Sequence, residues 1–195
     1  MLIIKKVSAL LLALAMAAIF FACGNKDGKK ETDGVTAANT AENTGADDTF
    51  ASNGAAQAII AYFGSIETVD TAEFIALMPA FDKQLYGSVT DAEFEGEIKD
   101  SLNAKLARFE ADCGSGVKFE IKITAVGGVT EKVLDSMEKL YAQDENLNST
   151  KIGEGAEVEF EISVKGSDGE ITGNGMAHVI QENGEWKIHN MNLDI

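Results

Sequence analysis

The sequence predicts an α+β fold, with N-terminal helices packed on a curved antiparallel sheet. Three observations carry that expectation. Between residues 54 and 113 apolar residues recur every three or four positions, the repeat of one helix face. From 117 to 195 they alternate with polar residues, the repeat of a strand with one buried side. Two short breaks in the second half, Gly166-Ser167-Asp168-Gly169 and Asn183-Gly184, have the chemistry of hairpin turns.

Each element follows in order. Ile59, Phe63 and Ile66 mark the first helix by their i, i+4, i+7 spacing. Asp70-Thr71-Ala72-Glu73 reads as a capped start for a second helix, carried by Phe74, Leu77 and Met78 and closed at Pro79. Thr90 with Glu93 opens a third, in which Phe94, Ile98, Leu102, Leu106, Phe109 and Cys113 share a face until Gly114. A lone thiol on such a face reads as core filling rather than as a nucleophile. Val117, Phe119, Ile121, Ile123 and Ala125 then alternate with Lys118, Glu120, Lys122 and Thr124 as a strand. Val133, Met137, Leu140 and Tyr141 carry a short amphipathic helix, after which Val158, Phe160, Ile162 and Val164 resume the alternation.

Register follows from the turns. Centring the first hairpin on residues 167 and 168 sets Gly175 opposite Phe160 and Gly173 opposite Ile162, small against large on one inward face. Placing Asn183-Gly184 in the second turn sets Val179 against Ile188 and Gln181 against Trp186. It also sets His178 between Glu157 and His189 on the outward face. Met191, Leu193 and Ile195 keep the opposite parity, a phase slip that a bulge near His189-Asn190 explains. Glu157, His178 and His189 are weak metal candidates in that row, and Met176, Ile180 and Met191 around them suggest a homodimer through the outer sheet face.

The chain begins with an address. Lys5 and Lys6 precede an apolar run from Val7 to Ala22, about 24 Å as a helix and short of the hydrocarbon core. Its end, Ala22-Cys23-Gly24, resembles the lipobox of bacterial lipoproteins, in which the cysteine is lipidated. The resemblance implies a signal peptide over 1–22, lipidation of Cys23, and a domain held by a palmitate-type anchor on the extracytoplasmic face of the cell membrane. Residues 23–53 are almost all Gly, Ala, Thr, Asn, Asp, Glu and Lys, the composition of a flexible tether, leaving 54–195 as one domain. Sixteen basic residues against 32 acidic ones give a net charge of −16, which excludes a nucleic-acid partner.

Helices followed by an antiparallel meander that closes on Gly184-Glu185-Trp186-Lys187-Ile188 resemble the nuclear transport factor 2-like (cystatin-like) roll, in its uncharacterised lipoprotein-borne form. That resemblance covers about residues 54 to 195. It implies a sheet curved around a long helix, often enclosing a pocket, and no particular reaction. The expected function is therefore a non-catalytic module binding a small apolar ligand or another envelope protein. Tyr62, Gln181, Trp186 and Asn190 are the pocket candidates, and no cofactor is expected. The alternative is a small pocket enzyme of isomerase or dehydratase type. Proton transfer needs a tuned acid or base inside the pocket, and the inward sheet positions include neither an acid nor a histidine. Tyr62, Asp82 or Tyr86 would have to supply it, and a buried carboxylate bonded to a tyrosine would favour the enzyme. Gly173-Asn174-Gly175 is no nucleotide loop, since strand alternation runs through it. Glu154, Glu157, Glu159 and Glu161 read as a solvated face with Lys118 and Lys122 as cross-strand partners, rather than as a calcium site.

Overall fold

The computed structural model describes Phe50, residues 52–87 and residues 89–195. Cys23, the leader and almost all of the tether lie outside the described residues. Five helices and four strands follow in the order α1 (Gly54–Thr68), α2 (Thr71–Leu77), α3 (Ala80–Gln84), α4 (Asp91–Cys113), β1 (Lys118–Gly128), α5 (Glu131–Ala142), β2 (Ile152–Lys165), β3 (Glu170–Glu182) and β4 (Glu185–Asp194). The strands form one open antiparallel sheet in the order β1-β2-β3-β4, so β1 and β4 are its edges. The α+β class is as the sequence predicts.

Caps fix where the helices begin. Asn53 accepts from the Ala55 and Ala56 amides and so belongs to the folded unit rather than to the tether. Asp70 accepts from the Glu73 amide, and Thr90 with Glu93 completes a reciprocal capping box. Pro79 ends the second helix and also precedes α3, a turn of helix that periodicity does not reveal. No helix among the described residues is long and apolar enough to cross a membrane.

The core lies between α1, α4 and the inner sheet face. Phe63 from α1 meets Phe119 and Phe160 with ring centroids 5.4 and 5.7 Å apart, while Ile98, Leu102 and Cys113 from α4 are buried in the same cluster. The Cys113 thiol is fully buried and donates to the Val164 carbonyl, in keeping with a filling role. Gly175 pairs with Phe160 and Gly173 with Ile162, as the first turn requires. Asn183 and Gly184 both take positive φ, 54° and 87°, the conformation of a two-residue primed turn.

Three expectations need correction. A register shift between Ile123 and Ala125 turns Val126 inward in place of Ala125. A second shift, between His178 and Val179, opposes His178 to Asn190 and leaves His189 as the extra residue of a bulge. The slip in β4 is therefore real, and it removes His189 from the outward row. Glu157 and His178 still touch at 3.0 Å, and no group of three metal-binding side chains forms among the described residues. The outward apolar group is the third correction. Met191 packs on the inner core, and Ile180 is buried on the face where Val129 and Leu134 press on its partner Gly155, beneath α5. Met176 alone of the three stays exposed, so the patch that suggested a homodimer through this face is absent.

On the uncovered part of that face Lys122 pairs with Glu161 at 2.9 Å and Lys165 with Glu120 at 2.6 Å, while Lys118 reaches Glu67 of α1. The second Glu67 oxygen accepts from the Phe119 amide on the β1 edge.

Candidate functional site

The β4 bulge positions the most distinctive cleft. Ile188 faces Val179 and Met191 faces Ala177, so both point inward with two residues between them instead of one. That spacing turns His189 and Asn190 into the end of a cavity of about 420 Å³. Its other walls are Tyr62 of α1, Phe74 and Leu77 of α2, Met78 and Pro79, Asp82 of α3, Leu85 and Tyr86 beyond it, and Ile98, Ser101 and Lys105 of α4. Apolar and aromatic side chains of α1, α2, α4 and β4 share this lining with Asp82 of α3, Ser101 and Lys105 of α4, and His189 and Asn190 of the bulge.

Behind this end lies a buried carboxylate. Glu182, the last residue of β3, is 3% exposed. Its Oε1 accepts from the Tyr141 hydroxyl at 2.6 Å and its Oε2 from the Ala80 amide at 2.8 Å, the first residue of α3. His189, 15% exposed, brings Nε2 to 2.9 Å from Glu182 Oε1, with the ring N–H axis too far off line for a hydrogen bond. Burial alone would raise the Glu182 pKa. The His189 contact, the Tyr141 hydroxyl and the Ala80 amide outweigh it and hold the carboxyl below the ordinary glutamate value. The Tyr141 hydroxyl is pushed the other way, first by burial and then by donating to that carboxylate.

Asp82 differs in kind. Its carboxyl lines the cleft and makes no hydrogen bond or ion pair among the described residues. Burial pushes its pKa up, His189 pulls it down, and Glu182 adds to the rise. The wall bearing Asp82 is tied at both ends. Lys187 of β4, itself buried, donates to the Ala76 carbonyl at 2.6 Å, and Gln84 donates to Asp144 at 2.9 Å.

Of the pocket candidates, Tyr62 and Asn190 line this cleft. Trp186 and Gln181 do not. The Trp186 indole lies over Gly54 at the start of α1, and Gln181 sits beside Gly153 of β2. The possible helix-borne acids and bases, Tyr62, Asp82 and Tyr86, all reach the cleft. Glu182 and Tyr141 escape sequence reasoning. Glu182 precedes Asn183-Gly184 and so reads as a solvated turn residue, and its burial comes from α3 and α5 closing over the end of the sheet. The phase slip at Met191 was the available signal that His189 leaves the outward row. The chain matches no protein-family model and none of the curated proteins.

Proposed function

We propose that the chain is an extracytoplasmic lipoprotein, lipidated at Cys23, whose roll-like domain binds a small amphipathic ligand without transforming it. The cleft carries this reading: apolar and aromatic side chains share its lining with a few polar groups around a volume suited to a small molecule. The neutral dye N-phenyl-1-naphthylamine tests it. Saturable fluorescence enhancement is expected for the wild type and its loss for Ser101→Trp, which fills the cleft from the exposed side of α4. Equal enhancement by both proteins would place the dye elsewhere and remove the support for the cleft.

A second reading has its own observation. Glu182 is buried, bonded to Tyr141 and in contact with a cleft histidine, the arrangement that favours a pocket enzyme. Under this reading His189 moves a proton on the bound ligand while Glu182 balances its charge. Deuterium incorporation into an enolisable cyclic ketone by the wild type, and not by His189→Gln, would favour the enzyme; equal background labelling would favour the binder.

A further inference from the structure

We propose that the ligand of this cleft is an organic monocation, an ammonium group on an apolar body, with Asp82 as its counter-ion. The inference rests on the cleft being the binding site. Its starting point is a carboxyl on the cleft wall that is partly buried and makes no hydrogen bond or ion pair among the described residues, an acceptor open to a bound cation.

The charged neighbours do not supply that cation. On α3 itself, Lys83 interacts with Lys187, Glu182 and Glu185. From β4, His189 is the one group that lowers the Asp82 pKa, and its Nε2 already lies 2.9 Å from Glu182. From β3, Glu182 is a like charge. From the segment after α3, Tyr86 offers a phenol. From α4, Lys105 lines the cleft and forms no ion pair with Asp82 among the described residues. Glu182 is met by His189 and Lys83, whereas Asp82 has only His189, which already lies against Glu182, and so lacks a counter-ion of its own.

The walls suit the same guest. Tyr62 and Phe74, with centroids 5.5 Å apart, both border the cleft, as does Tyr86 against Phe94 at 4.8 Å. Aromatic faces attract cations. Leu77, Ile98, Ile188 and Met191 supply the apolar surface for the body of the ligand. A chain of net charge −16 draws cations toward it and repels anions.

Three probes sharing one ring, 2-phenylethylammonium, neutral 2-phenylethanol and 3-phenylpropanoate, separate the possibilities by calorimetry. The expected result is that the ammonium binds the wild type about tenfold tighter than the alcohol, the size of one charge-assisted contact. Asp82→Asn, with Asp82→Ser as the second variant, should erase that preference and leave the alcohol unchanged. Tightest binding by the carboxylate, or an ammonium preference that survives both substitutions, would overturn the proposal. Alcohol binding that Ser101→Trp abolishes, without any ammonium preference, would overturn the cation and keep the cleft. No binding by any of the three would overturn both.

Discussion

A carboxylate that is dry and still charged has to be held by its donors, and Glu182 has two hydrogen bonds and an imidazole contact. The consequence is a pH signature of definite sign. A folded-state pKa below the unfolded one contributes stability above the unfolded value and loses it as pH falls through the folded value. Glu182→Gln should therefore destabilise the domain at pH 7 by on the order of 2 kcal/mol, the scale of a hydrogen bond to a charged group. The difference from the wild type should shrink as pH falls below the ordinary value of 4.5. Urea unfolding across that range measures it, and a gap that stays constant into acid would show that the charge is not what matters. None of this was visible in sequence. A glutamate beside Asn-Gly looks like any turn acid, and its burial depends on a tyrosine 41 residues earlier and on a helix start 102 residues earlier.

Among the elements, the long runs were the legible ones. Helix α4 follows from six apolar residues on one face and its Thr90 box, and strands β2 and β3 follow from alternation plus two turns. Gly175 shows how much register alone can carry, since a methyl group there would overlap the ring of Phe160 and the side chain of Leu193. Gly175→Ala should cost about 1–3 kcal/mol through overpacking. Thermal melting would check it, and an unchanged midpoint would mean that the ring has room to move. Legibility ended where two elements compete for one face. The bulges at Thr124 and His189 shift parity by one residue, and hydrophobic alternation reports such a shift only after it has happened. The position of α5 was equally hidden. Its amphipathic character is legible, but Val133 and Leu140 of the expected stripe are exposed and Leu134, Met137 and Tyr141 form the more buried side, and with the sheet face it covers went the fate of Ile180.

For the whole molecule, the proposed anchor and the domain make separable claims. Cys23→Ala should move the full chain from the membrane fraction to the soluble fraction or stall it as precursor, without altering the unfolding midpoint, because the described fold begins its packing at Phe50 and Asn53. Cell fractionation with urea unfolding of the recovered protein measures both, and unchanged membrane retention of a processed mutant would remove the lipid anchor. The sheet has two margins, β1 and β4, each with one strand neighbour; α1 and α2 lie against β4 and α1 against β1. The unpaired side of an edge strand is a template on which further chains can pair. On β1 the template is spoiled along its length. Glu67 occupies the Phe119 amide near one end, Lys118 and Lys122 place charge along the strand, and the kink after Ile123 breaks the run of evenly spaced groups. The same irregularity that hid the strand's parity in the sequence thus also interrupts the ladder that a second copy would need in order to extend this sheet.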